Sequence, residues 1–255
     1  MKVMLVLLDG MRPDGMKKCG NPYVDELLGK SAYTLNAETV FPSVTLPCHF
    51  SLFLSVKPDR HGTITNTYAP QVRPIDGIFE QLHKFDKTTA FFYTWGELRD
   101  LSHPDTIDHI SFRSGHTFGY PEAQTELLFE AKEHLQKHSP DFLFYYNGLP
   151  DEVGHKSGWM SDEYLSAVNT GFDWLRELIE CAGDEYITIV LADHGGHDRV
   201  HGTTNPEDMT IPMIITGKGI DNKEMSDVSI LDVAPTVTKI LGLPSVSDWE
   251  GRSLI

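Results

Sequence analysis

The feature that most constrains this chain is a series of short, uninterrupted apolar runs separated by amphipathic segments of helical length. "KVMLVLL" (2–8), "TTAFFYTW" (88–95), "DFLFYYNG" (141–148), "YITIVLA" (186–192) and "MTIPMIIT" (209–216) are the runs. Short uncharged stretches rich in β-branched and aromatic residues read as strands buried on both faces. Pro212 inside the last run fits only an edge or a bulge, because proline cannot donate to a sheet ladder. Between the runs, "TLPCHFSLFLS" (45–55), "DGIFEQLHKF" (76–85), "PEAQTELLFEAKEHLQKH" (121–138), "SDEYLSAVNTGFDWLRELIECAG" (161–183) and "LDVAPTVTKILG" (231–242) have helical character. Several begin near a Pro or a capping residue, and the last is stopped by Gly242 and Pro244. Alternating β and α units predict an α/β fold with a mostly parallel central sheet and helices on both faces.

No repeat or low-complexity linker interrupts the pattern, so residues 1–255 are expected to form one catalytic domain. The exception is the irregular interval 96–120, "GELRDLSHPDTIDHISFRSGHTFGY". A loop of this length inside a compact domain is usually functional, which predicts a lid or substrate loop.

The formal charge of −16 argues against nucleic acid polymers and anionic membrane surfaces as partners. It leaves room for a small phosphorylated substrate, because bound cations reverse the local field. Cys19, Cys48 and Cys181 are odd in number and form no CxxC pair, so neither a disulfide framework nor a zinc ribbon is expected. Cys48 reads as a small buried residue. No run approaches transmembrane length, and the start lacks a signal-peptide pattern, so the expected location is cytoplasmic. Oligomeric state is not readable.

The ends of the apolar runs carry the chemistry. Asp9 follows the first. Asp151 and His155, in "LPDEVGHKSG", follow the run at 141–146. Asp193 and His194 follow the run at 186–192, and His201 lies in the same loop, "LADHGGHDRVHG". Strand tips are where ligands bind in open α/β sheets. Mixed Asp and His donors suit Zn²⁺, with Mn²⁺ or Fe possible. Asp151 and His155 share a face if their segment is helical; Gly154 leaves a tight loop equally acceptable. Six donors are enough for two divalent ions, which can clamp the attacking and leaving oxygens of a displacement at phosphorus. Thr45, at a predicted helix N-terminus, is the candidate nucleophile, although threonine also caps helices. Asn66 is a candidate donor to a phosphoryl oxygen, although Asn is frequent in turns.

At these residues the chain resembles the alkaline phosphatase superfamily, and more closely its type I phosphodiesterase/nucleotide pyrophosphatase family. The resemblance rests on "LLDGMRPD" (7–14), "FPSVTLPCHFSLFLSVKPDRHGTITN" (41–66), "PDEVGHKSG" (150–158), "LADHGG" (191–196), "HGTTNPEDMTIPMIITGKGI" (201–220), "DVAPTVTKILGLP" (232–244) and the closing "EGRSL". It implies one zinc held by Asp151, His155 and His201, and a second by Asp9, Asp193 and His194 with Thr45 beside them. It also implies a covalent phospho-threonine and a phosphate contact from Asn66. The family pattern ends in His-Gly, which His201-Gly202 matches, leaving His197 as a supporting or solvent-facing residue. His49 and His61 read as structural, and "FLFYY" (142–146) as core. Sulfatases of this fold carry Cys or Ser followed by Pro and Arg where this chain has Thr45, and phosphoglycerate-mutase relatives carry Ser and a large inserted domain.

One departure bears on specificity. Nucleotide-cleaving members commonly have an aromatic residue after the nucleophile, and here it is Leu46. Trp95, Arg113 and Tyr120, in and beside the expected lid, are then the candidate substrate contacts, with Phe112 close by. An arginine there would favour a monoester's extra charge. The expected activity is a two-metal phosphodiesterase or pyrophosphatase. A phosphomonoesterase or phosphonate hydrolase on the same scaffold, and an inactive metal-binding module, remain alternatives.

Overall fold

A computed structural model describes residues 1–255. The apolar runs form the centre of an eight-stranded sheet. Its strands are β1 (Lys2–Leu8), β2 (Ala32–Glu38), β3 (Thr89–Tyr93), β4 (His109–Phe112), β5 (Phe142–Asn147), β6 (Tyr186–Leu191), β7 (Thr210–Thr216) and β8 (Lys223–Glu224), in spatial order β4-β3-β5-β1-β6-β7-β2-β8. β1 pairs in parallel with β5 and β6, Leu5 lying opposite Phe144 on one side and Ile189 on the other. Every residue from Val3 to Leu8 is buried, as are all of β3, β5 and β6. That is what continuous rather than alternating hydrophobicity dictates: both sheet faces are covered.

The principal helices are α1 (Thr45–Leu54), α2 (Ile78–His83), α3 (Tyr120–His138), α4 (Leu149–Ser157), α5 (Asp162–Ala182) and α6 (Val233–Ile240). Ser161 caps α5 by accepting the Tyr164 N–H. The Gly171 backbone of that helix lies so close to β1 that a methyl group there would sit 2.8 Å from Leu8 Cδ2. A cluster of 65 buried residues runs through the sheet and the helices on it, so one core serves the whole array. No helix is long and apolar enough to cross a membrane.

β7 runs antiparallel to β6 and to β2. The reversal has a direct consequence for the site. The end of β6 and the start of β7 lie at the same sheet edge, so the whole loop 192–209 stays there. Pro212 answers to the bulge reading: the β2–β7 register shifts between Thr34 and Ala37, opposite the proline.

One expectation needs correction, and one strand was not expected at all. The interval 96–120 is not irregular. It holds a 3-10 turn (Gly96–Leu101), the edge strand β4 paired in parallel with β3, and a short helix (Gly115–Phe118) capped by Ser114. β4 was hidden because its burial alternates and its short sequence carries polar residues. β2 was missed for a related reason. Asn36 and Glu38 are exposed, and the bulge breaks the period of two.

Candidate metal centre

β5, β1 and β6 are neighbours, and their C-terminal ends deliver the donors to one place. Asp9 follows β1, Asp193 and His194 follow β6, and Asp151 and His155 sit on α4, which follows β5 directly. The Asp151–His155 segment is helical, so the pair shares a face, with His155 Nε2 3.5 Å from Asp151 Oδ2. His194 Nε2 lies 3.4 Å from both Asp9 Oδ1 and Asp193 Oδ2. His201 Nε2 lies 3.7 Å from Asp151 Oδ1. Asp9, Asp193 and His194 are fully or almost fully buried.

Hydrogen bonding fixes the tautomer of each ring. The Nδ1 of His155, His194 and His201 meets the carbonyl oxygens of Arg199, Gly195 and Ser43 at 2.9, 2.8 and 2.8 Å. A carbonyl only accepts, so Nδ1 carries a proton in each ring and Nε2 is the atom turned towards the carboxylates. Burial, then the charge of His194, pushes the His201 pKa down to about 2, so this ring is neutral. Three Nε2 atoms therefore face three carboxylates.

Asp9 Oδ1, Asp151 Oδ1 and Asp193 Oδ2 are buried without any hydrogen-bond partner. Burial raises the Asp193 pKa to about 7. Burial also raises Asp9 and Asp151 well above the ordinary range, with a further push from the charge of Asp193 on Asp9 and of Asp9 on Asp151. Such a set is stable as anions only around cations. The donors fit divalent ions: Asp151, His155 and His201 form one group and Asp9, Asp151 and His194 another, the ligand atoms within each lying within 4.8 Å of one another. Asp151 is common to both groups. Asp193 touches the second group through His194.

Thr45 opens α1 beside this cluster, its Oγ1 3.1 Å from His194 Nε2. Asn66 Oδ1 accepts the N–H of Leu46, the residue after Thr45, at 3.0 Å, which leaves its Nδ2 amide hydrogens without a protein partner. Leu46 itself does not face the cleft: its side chain is fully buried in the main core, and only its N–H takes part.

The other candidate contacts divide. Arg113 is turned away, its Nη2 2.6 Å from Glu130 and its Nε 3.2 Å from Glu126, both on α3. As a substrate cation it is corrected to an anchor of β4 on α3. Trp95 is half-buried against the core where the 3-10 turn begins, and Phe112 packs on Tyr93. Tyr120 is buried beside Gly148 and Leu149, at the start of α4. Its hydroxyl pKa is raised first by burial and then by the charges of Asp9, Glu152 and Asp151. His197 lies outside the cluster, bound to the buried Asp208 at 2.7 Å, which also accepts from Thr203 and so braces the loop before β7. His61 is structural, joined to Ser51 and Thr63.

Three supporting groups carried no signal as site residues. Tyr146, in the run read as core, is buried but donates its hydroxyl to Asp9 Oδ2. His49 Nδ1 donates to the Thr45 carbonyl at 2.8 Å and lies 3.5 Å from Asp193 Oδ2. Trp159 packs beside two of the histidines. Only the helical spacing of Thr45 and His49 could have marked any of them.

Comparison with known proteins decides the family. Residues 3–81 match the family model for type I phosphodiesterase / nucleotide pyrophosphatase, and residues 81–245 match that of the metalloenzyme superfamily. The chain belongs to this superfamily, the alkaline-phosphatase-like metalloenzymes. Such membership implies binding of divalent metal. The chain is 31% identical over 141 residues to a 2,3-bisphosphoglycerate-independent phosphoglycerate mutase of Haloquadratum walsbyi, covering 52% of this chain and 28% of the relative. It is 26% identical over 226 residues to ectonucleotide pyrophosphatase/phosphodiesterase family member 1 of Rattus norvegicus, covering 75% and 24%. It thus spans about a quarter of the length of these relatives.

Solved structures share the superfamily's fold at low identity. Murine ectonucleotide pyrophosphatase / phosphodiesterase 5 superposes with a TM-score of 0.80 at 14% identity, over 98% of each chain. An inactive threonine-to-alanine variant of that murine protein is known in complex with AMP. The phosphonate monoester hydrolase of Agrobacterium radiobacter superposes with a TM-score of 0.71 at 15% identity, over 99% of this chain and 76% of that one.

Proposed function

We propose that this protein is a two-metal phosphoester hydrolase that attacks through Thr45 and prefers diesters. The observation that carries the reading is the contact of Thr45 Oγ1 with His194 Nε2, at 3.1 Å, at the start of a helix and beside unpaired carboxylates. Divalent ions held by Asp9, Asp151, His155, Asp193, His194 and His201 would supply positive charge for the phosphoryl oxygens and make a nearby hydroxyl more acidic. Zinc suits the mixed His and Asp donors best.

The chain's own residues do the rest. Thr45 is fixed by α1 with its hydroxyl at the cluster, and Asn66 offers amide hydrogens to a phosphoryl oxygen. Thr45 Oγ1 bonds to phosphorus as the ester bond to the leaving alcohol breaks. Water then releases the phosphoryl group and restores the hydroxyl. The inactive threonine-to-alanine variant of the murine neighbour supports giving Thr45 this role.

Preference for a diester follows from charge. A monoester carries an additional negative charge that free cationic side chains would have to meet. Arg113 is held by Glu126 and Glu130, and Arg12 by Asp14 and the Gly196 carbonyl. Tyr120, packed at the start of α4, is the side chain we assign to the leaving group.

The test is to load the purified protein with zinc, count bound metal, and compare a phosphate diester with the matching monoester and a phosphonate monoester, with Thr45→Ala as control. Faster, Thr45-dependent diester cleavage is expected. Faster monoester or phosphonate cleavage moves the protein to those classes, and bound metal without turnover of any ester makes it a binding module.

A further inference from the structure

Trp159 touches every segment that supplies a donor. Its indole is 7% exposed and lies between two glycines. A methyl group on Gly154 of α4 would come within 2.7 Å of Trp159 Cε2, and one on Gly196 would come within 2.3 Å. Neither segment can approach the ring so closely with a larger residue. On one side the ring meets His155 edge-to-face, with centroids 5.0 Å apart, and His201 at 5.9 Å. Its backbone N–H donates to the Asp198 carbonyl at 2.8 Å.

The indole N–H connects to the other donor group. Trp159 Nε1 donates to the Gly10 carbonyl at 2.9 Å, and the Gly10 N–H donates in turn to Asp193 Oδ1 at 3.3 Å. Gly10 has φ +67°, and a methyl group there would meet Asp151 Oδ1 at 3.0 Å. Gly10 is therefore a thin spacer between two carboxylates, and Trp159 holds it in place. Tyr164 shares that task through its hydroxyl, 2.9 Å from the same carbonyl.

We infer that Trp159 is a positioning residue for the metal centre, whose flat ring sets His155 and His201 against Asp151. It touches no substrate and donates nothing to a metal. Its part is to make the approach of α4, the Gly10 turn and the 193–201 loop specific, so that the donors converge before any ion arrives. The indole N–H is backed up by Tyr164, so the ring is the element without a substitute.

The inference rests on the metal-binding half of the proposed function and not on the Thr45 chemistry. The experiment strips the protein of metal and titrates zinc against a chromophoric chelator at a temperature well below unfolding. It compares wild type with Trp159→Phe, Trp159→Leu and Trp159→Ala, and with Leu135→Ala, a buried position on α3. Melting of each metal-free protein is recorded alongside. Trp159→Phe keeps a flat ring and is expected within about threefold of wild type, whereas Trp159→Leu and Trp159→Ala lose about tenfold or more in affinity for one ion, the range seen when groups orienting metal ligands are removed. Leu135→Ala is expected to lower the melting temperature and leave affinity alone. Wild-type affinity in Trp159→Leu, a loss in Trp159→Phe equal to that in Trp159→Leu, or an equal loss in Leu135→Ala would each overturn the inference. If wild type binds two ions yet cleaves no phosphoester, the inference stands and the activity falls. If wild type binds none, both fall.

Discussion

Asp151 Oδ1 and His201 Nε2 face each other across 3.7 Å, while the imidazole proton is committed to the Ser43 carbonyl on the far side of the ring. Asp151 also stands within reach of Asp9 and His194. The carboxylate is therefore within reach of both donor groups, and its loss is expected to be felt in both. Asp151→Asn is expected to weaken both ions by about tenfold or more, and His155→Ala to weaken mainly one. Metal analysis after dialysis against graded chelator checks this: a variant of Asp151 that keeps one full equivalent would show that it serves a single ion.

Thr45 Oγ1 is buried and aimed at His194. Thr45→Ala is expected to reduce kcat on the order of 10³-fold or more while leaving bound metal unchanged. Thr45→Ser, which keeps the hydroxyl, should retain measurable turnover and accumulate phosphorylated protein in a rapid acid quench.

Arg113 tests the charge argument for diesters. Its guanidinium is held by Glu126 and Glu130, with about two fifths of the side chain exposed. Arg113→Ala is expected to change KM less than about twofold and to cost under about 1 kcal/mol of stability, the usual worth of a surface ion pair. A large rise in KM would show that the side chain swings to the substrate.

Burial holds the His61 pKa down at about 4, against an ordinary value of 6.5. The unfolded chain therefore binds a proton that the folded chain refuses in this window, and stability falls as the pH drops from 6.5 towards 4. His61→Gln is expected to flatten the slope of melting temperature against pH in that window, whatever it does to stability at neutral pH. An unchanged slope would mean that His61 is not among the groups driving acid unfolding.

Much of the fold could be read from the chain because its central strands are buried on both faces. An unbroken apolar run as short as 2–8 or 186–192 fits the middle of a covered sheet and little else. The donors were visible for a related reason: Asp and His directly after such runs must lie at strand tips. What stayed hidden depends on distant partners. The run "FLFYY" gives no sign that one of its hydroxyls will bind Asp9, and Trp159 acquires its role only from the Gly10 carbonyl and two remote glycines. Arg113 was misread because the glutamates that hold it lie further along the chain on a packed helix. β4 and β2 escaped notice because edge and bulged strands show water part of their length.

The adjacency of β5, β1 and β6 separates this protein's chemistry from its architecture. Three neighbouring strand ends, with the loop that the reversed β7 keeps beside them, fix the donors. Of the long stretches of chain between those ends, only the segment 43–66 reaches the centre, through Ser43, Thr45 and Asn66. Additional segments can be inserted elsewhere in those stretches without shifting a ligand atom, provided that the strands and that segment still return to the same edge. Such a scaffold can change its dimensions, and with them the molecules it admits, while the reacting centre stays as it is.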